Sequence, residues 1–245
     1  MGEKEVITVG LRLGPKFPTH PYNLVHSHVV FRGRFGKLHS RQWQASWNAV
    51  AFRYDALTRH DREFRRLLRN SHPSDLHAHR SAQEQELFGF FATASALFEC
   101  FGYATYTVLA GSRTPGFRLR TLQDQRRVDL IRLLPALRMA LPRHPLTTAF
   151  SRLLRSKAFK ETQDIRNYLS HRTAPTRALS RGVGDGEYRA DQWNLRPHGR
   201  ANIPLEPATT ASRVVWCSEM LTLLTVRLEK YVDDRLPPEQ QPRRR

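Results

Sequence analysis

The sequence predicts an all-α protein: an antiparallel bundle of four to five helices, with a short N-terminal β arm and a hairpin-like insertion before the last helix. Three observations lead there. Apolar residues recur every three or four positions through Trp43, Trp47, Val50, Tyr54, Leu57, Phe64 and Leu68, and again through Leu87, Phe91, Ala94, Phe98, Phe101, Thr105 and Val108. That is the period of helices burying one stripe each. The same period returns near the C-terminus in Val214, Cys217, Leu221, Leu224, Leu228 and Tyr231. Residues 1–40 lack it. There Ile7, Val9, Leu11 and Leu13 alternate as in a strand, and Leu24 to Phe31 is a second β-branched run.

Taken in order, residues 1–40 are expected to form a β or irregular arm, with the Pro-rich stretch from Gly14 to Pro21 as a rigid loop. Residues 41–235 hold the bundle. A first long helix ends at Ser71-His72-Pro73, and a second runs from about residue 82 to 110. A short Pro-containing connection between them favours antiparallel packing. Residues 121–141 read as helical but carry Pro135, which predicts a kink or two short pieces. Thr147 or Thr148 would cap the next helix, with a joint near Ser156-Lys157. Residues 173–206 read as a loop or hairpin, with Tyr188 to Leu195 as a short strand. The last helix starts after Pro207, and residues 236–245 form a disordered basic tail.

The formal charge of +18 calls for an anionic partner, most simply nucleic acid. Arg outnumbers Lys 34 to 6, however, a bias that codon usage can also produce. No signal-peptide pattern opens the chain and no run approaches the length of a membrane span, so a cytoplasmic protein without membrane contact is expected. Cys100 and Cys217 both sit in helical apolar patterns and read as core thiols. No metal or cofactor motif stands out. Asp75-Leu76-His77-Ala78-His79 lacks a third ligand nearby, and His26 with His28 on one strand face reads the same way.

The stretch that carries chemistry is Arg166-Asn167-Tyr168-Leu169-Ser170-His171-Arg172. Spacing alone does not single it out. Chance supplies about one or two Arg-x4-His pairs in so arginine-rich a chain, and Arg34…His39 is another. Only Arg166…His171 has Asn directly after the Arg, and only it ends a helical pattern just before a proline, Pro175. The helix end matters, because positions five apart on an unbroken helix point about 140° away from each other. At a terminating turn the imidazole can swing back toward the guanidinium.

Arg166-Asn167-x3-His171 resembles the R-[polar]-x3-H signature of HEPN domains, a helical-bundle superfamily rich in RNases, toxin components and defence proteins. The resemblance spans roughly residues 41–235. It implies metal-independent endoribonuclease activity in a homodimer whose motifs face each other. Arg166 would stabilise charge on the pentacoordinate phosphate, His171 would move the proton of the ribose 2′-OH or of the leaving 5′-oxygen, and Asn167 would orient one of them. A toxin or phage-defence role, with an antitoxin or other protein partner, follows by the same analogy.

Three further readings accompany it. Arg172 would add phosphate affinity, and Arg59, Arg62, Arg66 and Arg69 line one face of the first long helix as a static RNA-binding stripe. Glu99, Tyr103 and Tyr106 share a helix side and would line a cleft facing the motif. Asp61, on the apolar seam, needs a partner, by default a structural salt bridge to an arginine. The competing function classes are a non-catalytic helical module that binds RNA or protein, and a purely structural dimerisation bundle. On the bland reading Arg166 pairs with Glu161 or Asp164, and His171 caps the helix C-terminus.

Overall fold

A computed structural model describes residues 10–33, 35–69, 76–171, 175–178, 192–195 and 203–237. Among them are eight helices: α1 (Thr19–Arg32), α2 (Lys37–Arg69), α3 (Leu76–Gly111), α4 (Leu122–Arg126), α5 (Leu130–Ala140), α6 (Pro145–Arg155), α7 (Lys157–His171) and α8 (Pro207–Arg235). Three short strands, β1 (Thr176–Ala178), β2 (Gln192–Leu195) and β3 (Ile203–Pro204), form one antiparallel sheet in the order β1-β2-β3. The all-α expectation holds. The chain clusters into two compact units, one of Met1–Phe52, Ala96–Ser156 and Ser218–Arg245, the other of Arg53–Ser95 and Lys157–Cys217.

The first unit corrects the expected N-terminal β arm. Residues 19–32 are helical, residues 10–18 contain no strand, and Ile7 and Val9 lie outside the described residues. Tyr22, Val25 and Val29 are spaced three and four apart, and all three are buried. The β-branched run hid this stripe, because Val30 and Phe31 on the opposite side are apolar too, yet exposed. Tertiary packing decides the contest. Tyr22 stacks on Trp47 at 4.5 Å and its hydroxyl donates to the Trp47 carbonyl at 2.8 Å. Trp43 stacks on Trp47 at 4.7 Å, and Trp47 also meets Phe101 at 5.7 Å. Burying aromatic surface at about 25 cal/mol per Å² outweighs a β propensity of a few tenths of a kcal/mol per residue. His26 and His28, two apart on a helix, point to different sides and do not form a pair.

The short helices of this unit show capping that periodicity could not locate. The break in residues 121–141 falls at 127–129, upstream of Pro135, which the α5 interior carries. Thr121 and Asp124 form a reciprocal capping box at α4, and Asp129 caps α5 by accepting from the Arg132 amide at 2.7 Å. The α6 cap is His144, not Thr147 or Thr148. Pro145 supplies the first helical φ, and His144 Nδ1 accepts from the Leu146 amide at 3.1 Å. The expected tail is ordered at its start: Leu236 is buried, and the Pro237 carbonyl accepts from Arg32. Residues 238–245 lie outside the described residues.

In the second unit, Trp193 of β2 is fully buried and its indole N–H donates to Gln83 Oε1 at 2.8 Å. The Gln83 amide nitrogen in turn donates to the Leu67 carbonyl at 3.3 Å. One buried amide thus ties the sheet to α2 and α3. α3 is long and apolar enough to cross a membrane by length and composition alone. Here its apolar residues, including Leu87, Phe90, Phe91, Leu97, Phe98 and Phe101, are buried in the protein.

Candidate functional site

α7 buries Phe159, Thr162 and Ile165, a one-turn repeat that turns Arg166 and Asn167 toward the outside. The helix is fixed at two points of the second unit. Gln163 Nε2 donates to Ser95 Oγ on α3 at 2.8 Å, and Arg213 of α8 forms an ion pair with Glu161. Arg213 is only 15% exposed, so this contact is held among packed groups. Lys157 reaches the same carboxylate at 3.6 Å. Glu161 is therefore engaged elsewhere, and the expected pairing of Arg166 with it does not form.

Arg166 instead donates from Nη1 to Asn167 Oδ1 at 2.9 Å. It is half-buried, Asn167 is exposed, and the contact fixes the guanidinium over its own helix turn. α7 is described through His171, and residues 172–174, where the sequence places the helix end, lie outside the described residues. The His171 side chain and all of Arg172 lie outside the described residues.

The arginine stripe is on one face of α2, and all four side chains are exposed. Its charge is partly spent. Arg59 pairs with Asp55 at 3.0 Å, and Arg66 makes a bidentate contact with Glu63, whose carboxyl the guanidinium hydrogen bonds hold below the usual range. Arg62 and Arg69 form no ion pair with any described residue. Asp61 does not neutralise the stripe. It is 3% exposed and pairs at 2.5 Å with Arg65, whose own side chain is exposed, the arginine bridge its position on the seam calls for.

Between Arg59 and Arg62 lies a feature the sequence did not reveal. His60 Nδ1 and Glu86 Oε2 are 2.7 Å apart, so the ring N–H donates to the carboxylate. A β-carbon on Gly89 would stand 2.5 Å from His60 Cε1, so the glycine in mid-helix makes room for the ring. Arg59, Arg62 and Glu63 complete a cleft of about 490 Å³. Glu86 is on another helix, and no local sequence pattern couples it to His60. Glu86 and Ser95 are nine residues apart on α3, which puts them on opposite faces at about 100° per residue. The His60 cleft and the Gln163 contact of α7 therefore lie on different sides of α3.

The remaining candidates resolve without chemistry. Tyr103 donates to Gln42 Oε1 at 2.9 Å, and burial raises its phenol above the usual range. The Tyr106 hydroxyl bonds both the amide and the carbonyl of Arg118, so these tyrosines fasten neighbouring segments within the first unit. Glu99 is exposed. Leu76 to His79 open α3 and do not form a loop, while Asp75 lies outside the described residues. Among the described residues no three His, Cys, Asp or Glu side chains cluster as a metal site would require. Cys217 is fully buried, which raises its thiol far above the ordinary range.

With this geometry in hand, the described residues define a mostly helical protein whose surface is rich in arginine. Compared with known protein families, curated proteins and solved structures, the chain matches none.

Proposed function

We propose that the chain is a metal-independent endoribonuclease of the HEPN type, acting through Arg166, Asn167 and His171. The observation that carries the reading is Arg166 on the outward side of α7, five positions before His171, with its guanidinium held by Asn167. The Arg166–Asn167 hydrogen bond supports it, because it holds a guanidinium that no carboxylate neutralises among the described residues.

In the reaction, His171 takes the proton from a ribose 2′-OH, and the 2′-oxygen attacks the adjacent phosphorus. The P–O5′ bond breaks, the 5′-oxygen leaves with a proton, and the products are a 2′,3′-cyclic phosphate and a 5′-hydroxyl end. Arg166 stabilises the charge on the equatorial oxygens as phosphorus becomes pentacoordinate. A homodimer supplies a second His171 for the leaving group, since one imidazole cannot serve both ends of an in-line displacement. The toxin or defence role, with an antitoxin as partner, rests on the family analogy.

A second reading is a non-catalytic RNA-binding module. Arg62 and Arg69 on the α2 stripe, exposed and without an ion pair among the described residues, favour it. One assay separates the two. Purified protein with single-stranded RNA in EDTA should yield cyclic-phosphate ends, and Arg166→Ala or His171→Ala should abolish them at unchanged helicity. Cleavage that requires a metal, or that survives in both variants, rejects the nuclease reading. Salt-dependent retention of RNA without any cleavage favours the binding module.

A further inference from the structure

A second cleft, of about 650 Å³, lies in the first unit where α3 ends, and it is separate from the residues proposed for cleavage. Its wall is the segment 112–120, which is fastened at both ends. Ser112 and Thr114 hydroxyls lie 2.8 and 2.6 Å from the Tyr231 hydroxyl of α8. Farther along, the Tyr106 hydroxyl bonds the Arg118 backbone on both sides, at 3.1 and 3.2 Å. Asp124 Oδ2 accepts from the amides of Arg120 and Thr121 at 2.8 and 2.9 Å. Arg113 has a φ of 57°, a left-handed conformation that costs a residue with a β-carbon about 1 kcal/mol.

This held segment brings three arginines to one concave surface. Arg113, Arg118 and Arg120 all line the cleft, all are exposed, and none forms an ion pair with a described residue. His39 faces them from α2. Helix-end neutralisation does not account for them. The last α3 carbonyls are already taken, Val108 by the Ser112 amide, Leu109 by Thr114 and Ala110 by Arg113. The nearby acid, Asp124, accepts from two backbone amides and its charge also acts on Arg118, but one carboxylate does not balance three arginines. Three like charges gathered on a fixed backbone repel one another unless an anion joins them, and guanidinium forks match phosphate oxygens.

We propose that this cleft binds phosphate groups of a nucleotide or of an RNA strand, with Arg113, Arg118 and Arg120 as the ligands. The proposal stands whether or not Arg166 and His171 cut RNA. The binding chemistry is one, the phosphate ester, and it has two sources that the probes distinguish.

The test is equilibrium binding of ADP and, separately, of a short single-stranded RNA lacking a terminal phosphate, to the full chain and to Arg113→Gln/Arg118→Gln/Arg120→Gln. A charge-matched control, Arg143→Gln/Arg152→Gln/Arg155→Gln, removes three exposed arginines outside the cleft. The cleft variant should lose about 100-fold in affinity for whichever probe binds, while the control loses only a few-fold. Binding of ADP identifies a free nucleotide as the source, and binding of the RNA alone identifies the strand. If neither probe binds, or if the control loses as much as the cleft variant, the proposal is wrong. Should the triple variant fail to fold, Arg118→Gln alone, at an exposed position, is expected to lose about tenfold. An unchanged affinity there overturns the assignment.

Discussion

Arg32, the last residue of α1, offers the sharpest test of how the N-terminal segment is held. Its side chain is 12% exposed and satisfies the frayed end of α8. Nη2 donates to the carbonyls of Asp233 and Leu236 at 3.1 and 2.9 Å, and Nε donates to that of Pro237 at 2.8 Å. Nη1 reaches Asp233 Oδ1 at 2.7 Å, but that carboxylate is 63% exposed and screened by water. The three carbonyl contacts therefore dominate. At about 1 to 1.5 kcal/mol net each, less some side-chain entropy, Arg32→Ala should cost roughly 2 to 3 kcal/mol. In a protein of this size that lowers the thermal midpoint by about 5 to 10 °C. Arg32→Lys should lose most of the same amount, because an ammonium cannot span acceptors matched to a planar fork. Asp233→Asn should leave the midpoint nearly unchanged. Circular dichroism melts at neutral pH, repeated at high salt, check all three. If Asp233→Asn destabilises as much as Arg32→Ala, or if salt erases the effect of Arg32→Ala, the ion pair is dominant and the reasoning fails.

Trp193→Phe removes the donor to Gln83 and strands a buried carbonyl oxygen, so a loss of about 2 kcal/mol is expected in denaturant titrations. Adding Gln83→Leu should recover part of that loss, and strict additivity of the two would contradict the coupling. His144 must be neutral for Nδ1 to accept the Leu146 amide, and burial lowers its pKa below the ordinary imidazole value. A folded value below the unfolded one gives stability that is present above about pH 6.5 and lost as pH falls below it. The thermal midpoint should therefore drop between about pH 7 and 5, with His26, also lowered by burial, acting in the same direction. His144→Asn keeps a capping oxygen without the titration and should flatten that slope in calorimetric scans; an unaltered slope refutes the assignment.

The long elements were legible because period is a property of one helix alone. The first α2 seam residues, Trp43, Trp47 and Val50, are buried as the spacing requires, and so are Leu221, Leu224 and Leu228 of α8. α1 was not legible, since an apolar run with Val30 and Phe31 on its outer side fits a strand as well as a helix. Asp61 shows the favourable case, where one buried carboxylate on an apolar seam announced an arginine partner and Arg65 supplied it one turn away. His60 shows the unfavourable one, with its carboxylate 26 positions distant on another helix.

The amino-acid order by itself determined that the chain is helical and where its long helices run, because propensity and apolar spacing act within a few residues. The tertiary structure alone decided that residues 19–32 coil against Trp47, that His60 meets Glu86, and that three arginines converge beyond the end of α3. Those outcomes depend on which surfaces meet when helices pack, and burial energies gathered from distant positions outweigh the local preferences a sequence displays.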